Sequence, residues 1–189
     1  MAIRIEDPFL EEAKWPGCRI ESHEFGKKEN CDRLFELSTA YLKSAKLLCI
    51  EIGENSSAQN WPNASVVYFL LYHATELFLK ACIISNNSNY KLNHDIGKLK
   101  AQYLEIYSNE DFNFPSPWEL SQEKIEDIIG SKVFDGVDRN PDQKYRYFSD
   151  KKGDPPKSIN VFSPGYILNY IEFLLEKWDQ LWSSIVMKD

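Results

Sequence analysis

Cysteine is scarce and unpatterned: Cys18, Cys31, Cys49 and Cys82 are the only four in 189 residues, and no two form a Cys-x-x-Cys pair. A disulfide framework is therefore not expected, and Cys49 and Cys82 read as reduced thiols on apolar helix faces. The three histidines come with neither a His-Glu-x-x-His run nor a Cys/His cluster, so no metal is expected. Gly-x-x-x-x-Gly-Lys-Ser/Thr and Gly-x-Gly-x-x-Gly are both missing, which removes phosphate-loop nucleotide binding, and no cofactor is expected. Ser65 and the cysteines lie in no recognisable nucleophile motif. Basic charge is short as well, with 22 Lys and Arg against 29 Asp and Glu, a net charge of −7. That balance opposes coating of nucleic acid through global charge and leaves room for a local basic patch. The apolar run Val66 to Tyr72 stops at His73, short of the ~18 residues of a membrane span. The start, MAIRIEDPFLEEAKW, lacks the basic end and apolar run of a secretory signal, so a cytoplasmic protein that avoids the membrane is expected. No internal repeat or low-complexity tract occurs.

What is present is apolar and aromatic. Hydrophobic residues make up 43% and aromatics 14%, enough for one domain with a real core. Residues 1–30 carry Pro8, Pro16, Gly17 and Gly26 without a sustained period and read as an irregular arm, with at most a helical turn from Pro8 to Lys14. Residues 31–189 read as a helical domain. From Cys31 to Ile52 the apolar positions Leu34, Leu37, Tyr41, Ala45, Leu48 and Ile52 mark one helix face, capped by Asn30 or Asp32 and ended by Gly53. Asn63 to Ile84 is apolar on nearly every side, so it predicts a central buried helix, with Asn60 as its cap and Pro62 in the first turn. Asn93 or Asp95 caps a further helix with Ile96, Leu99, Tyr103 and Ile106 inward. A short helix follows the capping box at Ser116-Pro117-Trp118-Glu119 and runs to Ile129. Ser131 to Pro156 is a long turn-rich excursion with room for a short strand from Lys144 to Phe148. Ser163-Pro164 opens the last helix, whose seam is Ile167, Ile171, Leu174, Trp178, Leu181 and Ile185. Leu168, Leu175 and Trp182 widen that seam, which fits either a dimer face or a broad intramolecular groove.

The central helix carries a polar stripe. His73, Glu76 and Lys80 stand at i, i+3 and i+7, within about 60° of one another around the axis. His94 lies at a helix start, where unpaired N–H groups favour an anion. Lys144 to Lys152 interleaves cations with rings, a composition suited to phosphate contacts and base stacking.

Two fragments carry a resemblance. Tyr68 to Ile84 (YFLLYHATELFLKACII) and Asn93 to Lys100 (NHDIGKLK) resemble the HEPN superfamily, in the branch marked by an Ala-x-Glu-Leu-x-Leu-Lys helix, here Ala74 to Lys80, and a His-Asp-Leu/Ile-x-Lys-Leu element, here His94 to Leu99. Tyr145 to Gly153 is similar to an Arg-Tyr-Pro-x-Asp-Lys-x-Gly segment of that branch, with Phe148 in place of Pro. The resemblance spans Cys31 to Lys188 and implies an all-α, four- to five-helix bundle with a long loop before the last helix. It further implies a homodimer, RNA as ligand or substrate, and a prokaryotic defence or toxin–antitoxin setting with a partner protein encoded nearby. The Arg-x4–6-His motif of the catalytic members is absent, since Arg19 precedes His23 by three intervening residues only. Any RNA cleavage therefore needs another constellation.

Metal-independent cleavage takes a base, an acid and a fixed cation, and imidazole suits the first two because it titrates near neutrality. The catalytic candidates are His94, Lys80, His73 and Glu76, with Glu76 orienting Lys80 or His73. Arg146, Tyr147, Lys151, Lys152 and Asp95 are the substrate-binding candidates. The same residues fit a buried structural network in which Glu76 pairs with Lys80, and the chain then serves as a non-catalytic dimeric interaction module for a partner enzyme.

Overall fold

A helix that is apolar on every side is stable in water only when neighbours cover it. In the computed structural model, which describes residues 22–90, 93–116 and 162–187, that helix is the axis of the molecule. The described elements are α1 (Ser22–Lys27), α2 (Asn30–Glu54), α3 (Trp61–Asn86), α4 (Ile96–Ile106) and α5 (Pro164–Val186), with single 3-10 turns at Ser56–Ala58 and Glu110–Phe112. The described residues thus form an all-α bundle of five helices, without a strand.

α3 begins where the sequence places its cap: the Asn60 side chain accepts from the Asn63 N–H at 3.0 Å, and Pro62 sits in the first turn, where a missing N–H costs nothing. Every residue from Ala74 to Ile84 is buried. By length and composition α3 would also cross a membrane, at a mean hydropathy of 1.5, but 72% of its most apolar window is covered by the rest of the bundle. α2 packs along α3 and α5, and α4 packs on α3.

The inward face of α2 differs from the expected stripe. The buried positions are Ser38, Leu42, Ala45, Cys49 and Ile52, while Leu37 is 38% exposed. Counting apolar residues passes over Ser38, whose hydroxyl donates to the Phe35 carbonyl at 2.6 Å and so enters the interior already bonded. Leu34, Tyr41 and Leu48 pack on the core half-buried. The helix also runs past Gly53: Asn55 ends it, donating its N–H to the Glu51 carbonyl, and then caps the next turn by accepting from the Ser57 N–H.

α5 buries its whole expected seam, from Ile167 to Ile185. Its additional row is largely used within the chain, since Trp182 stacks on Phe35 of α2 at 4.7 Å and Leu168 and Leu175 pack half-buried on the core. The expectation of an irregular arm through residue 30 is corrected at its end. Ser22–Lys27 is helical and α2 starts at Asn30, because Glu24 pairs with Lys27 at 2.8 Å and the Arg33 guanidinium donates to the Gly26 carbonyl at 3.0 Å. These are local polar contacts, invisible to an apolar period. The turn expected at Pro8 to Lys14, the helix after Ser116, the strand at Lys144 to Phe148 and the excursion to Pro156 lie outside the described residues.

After α4 the chain folds back onto the core through side-chain to backbone bonds. Tyr103 donates to the Phe112 carbonyl at 2.7 Å, Lys100 to the Phe114 carbonyl at 2.6 Å, and Tyr170 of α5 to the Pro115 carbonyl at 2.8 Å. Phe114 thereby reaches Phe78 and Trp178, which stack on each other at 4.4 Å and 3°.

Candidate functional site

One stripe of α3 and the turn before α4 make the site. That turn is fixed by its own side chains: Asn93 Oδ1 accepts from the Asp95 N–H at 2.8 Å, and Asp95 Oδ1 caps α4 by accepting from the Lys98 N–H at 3.1 Å. His94, held between these two bonds, is aimed back at α3. Its Nδ1 lies 2.8 Å from Glu76 Oε1.

Glu76 is the hub. Its side chain is 6% exposed, and Oε1 also accepts from Lys80 Nζ at 2.5 Å, one helical turn along α3. The second oxygen, Oε2, lies 3.9 Å from His73 Nδ1. His73 is itself fixed by rings, edge-on to Tyr41 of α2 at 4.6 Å and parallel to Phe69 at 5.8 Å. Burial of Glu76 would push its carboxyl up, but His73, Lys80 and His94 around it outweigh this and bring it down to about 2.

These distances favour one position for a proton. A 2.8 Å approach of Nδ1 to a carboxylate oxygen is a hydrogen bond only if Nδ1 carries the hydrogen. The neighbouring Lys80 Nζ donates to the same oxygen and stands farther from Nδ1, at 3.4 Å, so the closer contact with Glu76 favours Nδ1 as the protonated nitrogen. In the neutral ring Nε2 is then the basic nitrogen, and the side chain that bears it is 85% exposed. A buried acid holding an exposed imidazole in one tautomer is an arrangement for moving protons.

The structure brings His73, Glu76, Lys80 and His94 together. It sets Lys80 differently from an open anion corner: its side chain is 10% exposed and its ammonium lies against Glu76. Asp95 places its own carboxylate at the start of α4, where an external anion was expected. Arg146, Tyr147, Lys151 and Lys152 lie outside the described residues. Apolar counting missed the clamp on His73. Phe69, one turn before His73 on the same helix, was legible in the spacing; Tyr41, on α2, was not.

Among the described residues no group of His, Cys, Asp and Glu is arranged to hold a metal ion. Burial pushes the Cys49 thiol up to about 11 and holds the Cys82 thiol well above its ordinary value, which makes both poor nucleophiles.

The Glu76 carboxyl gives the fold a pH dependence. Because it is lowered from 4.5 to about 2 on folding, the unfolded chain takes up its proton first as pH falls. Its contribution, about 3 kcal/mol, is complete above roughly pH 4.5 and is lost as pH drops toward 2. Urea unfolding across that window should show the loss in the wild type, with a flatter profile in Glu76→Gln.

Compared with protein-family models, with curated proteins and with solved structures, the chain matches none.

Proposed function

We propose that this chain is a cytoplasmic, HEPN-like protein that binds and cleaves RNA without a metal, with His94 as its proton-transfer group, as a homodimer in a prokaryotic defence or toxin–antitoxin setting. The observation that carries the chemistry is the 2.8 Å bond from His94 Nδ1 to buried Glu76, which leaves an oriented, exposed imidazole. Nε2 of His94 takes the proton of a ribose 2′-hydroxyl, and the alkoxide attacks the adjacent phosphorus as the P–O5′ bond breaks. His73, on the other oxygen of Glu76 and entering the step protonated, gives its proton to the leaving 5′-oxygen, yielding a 2′,3′-cyclic phosphate and a 5′-hydroxyl, and proton exchange with water resets both rings. Lys80 keeps Glu76 ionised. The cations from Arg146 to Lys152 are assigned to the phosphates.

Purified protein mixed with total cellular RNA, with and without chelator, tests the reading. Chelator-resistant cleavage is expected, reduced at least about 100-fold in His94→Ala while the melting temperature stays close to the wild type, since an 85% exposed ring adds little to the core. Undiminished cleavage by His94→Ala would remove His94 from the chemistry. One observation favours a second reading: the Glu76–Lys80 pair is as closed as a purely structural network. If RNA is untouched and a second protein co-purifies with the chain, the interaction-module reading takes its place.

A further inference from the structure

A second site lies at the other end of α3, more than two turns from Glu76. There the end of α2, the start of α3 and the start of α5 enclose an open cavity of about 540 Å³, within the size range of small-molecule sites. Trp61 and Phe162 line it, and both rings pack on Tyr68 behind them, at 6.4 and 5.6 Å. Ile52 and Ala64 add apolar surface. Among the described residues the lining holds no charged side chain, and its polar members include Gln59, which is exposed. Gly165, also in the lining, is exposed, and a Cβ built on it meets nothing within 4 Å, so a larger side chain has room there.

We propose that this cavity binds a planar heterocycle of the nucleobase class, its faces against Trp61 and Phe162 and its edge read by Gln59. Two rings supply stacking area, and one side-chain amide supplies a donor and an acceptor side by side, which is what a base edge presents in return. The described lining is neutral and gives a phosphate no counter-charge, so the recognised part is the base. The site shares no residue with His73, Glu76, Lys80 and His94 and stands independently of the RNA-cleavage reading.

The test is titration of the full chain with adenosine, guanosine, cytidine and uridine, each beside its 5′-monophosphate, followed by calorimetry and thermal shift. At least one nucleoside is expected to bind and raise the melting temperature, and its monophosphate to bind within about threefold of it. A short single-stranded oligoribonucleotide, run in parallel, distinguishes a base presented by RNA from a free one. Gly165→Leu, which adds a large side chain at a lining residue, should weaken binding at least about tenfold, and Gln59→Ala should reduce discrimination among the bases. Both variants should fold and melt near the wild type, and His94→Ala should bind as the wild type does. No response to any nucleoside, or binding unchanged in both Gly165→Leu and Gln59→Ala, overturns the proposal.

Discussion

Glu76→Ala is expected to destabilise the fold by about 3–5 kcal/mol, far more than the loss of a few side-chain atoms would cost. The substitution removes the only carboxylate within hydrogen-bond reach of Lys80 among the described residues, and leaves an ammonium on a side chain that is 10% exposed. The penalty is the stranded charge, not the absent bond. The paired change Glu76→Leu with Lys80→Met removes both charges and fills similar volume, so it should regain most of the loss. Urea unfolding of the wild type, the single and the double variant at neutral pH separates these terms. A single variant that loses less than about 1 kcal/mol would mean that water reaches Lys80 and that the network is not closed.

Phe78→Ala should cost a comparable amount, about 3–5 kcal/mol, for an apolar reason. Phe78 is fully buried and stacks on Trp178 of α5 at 4.4 Å; it meets Phe114 edge-on at 5.5 Å and contacts Tyr103 of α4 and Phe35 of α2 at 6.3 Å each. One ring therefore joins four helices and the folded-back segment, and its removal leaves a void that stacked neighbours fill poorly. Leu47→Ala is the matched control, because Leu47 is 70% exposed and its loss should stay within about 0.5 kcal/mol. Equal effects of the two changes in the same unfolding assay would dissolve the aromatic junction as the centre of the core.

The helices of the bundle follow from patterns that a sequence displays directly. α3 is apolar all round and α5 repeats its seam without interruption, so both were legible, as were the caps Asn60 and Asp95, whose side chains can serve only a few nearby N–H groups. The face of α2 was less legible: Ala45 and Ile52 of the expected stripe are buried, but Ser38, Leu42 and Cys49 complete the inward face in place of Leu34, Leu37, Tyr41 and Leu48. α1 was hidden for another reason: a helix of six residues held by Glu24–Lys27 and by Arg33 has no apolar period to read.

The site divides in the same way. The stripe His73, Glu76 and Lys80 is set by helical spacing alone, and the resemblance around His94 supplied the fourth member. Which oxygen each donor takes, the exposure of His94, and the ring of Tyr41 on His73 depend on how α2 and α4 dock on α3. Those facts come from tertiary packing. The pairing of Lys80 with Glu76, one turn apart on α3, is the alternative that helical spacing offered beside an anion contact.

Everything proposed for His94 depends on where its proton resides. Long-range nitrogen–proton correlation spectra of the full chain, recorded at a pH where the ring is neutral and assigned through His94→Gln, report that position directly. A ring protonated at Nδ1, with a bare Nε2, is the predicted result, and in Glu76→Gln the preference should weaken. A ring protonated at Nε2 in the wild type would contradict the bond to Glu76 and, with it, the assignment of His94 as the group that takes a proton from substrate.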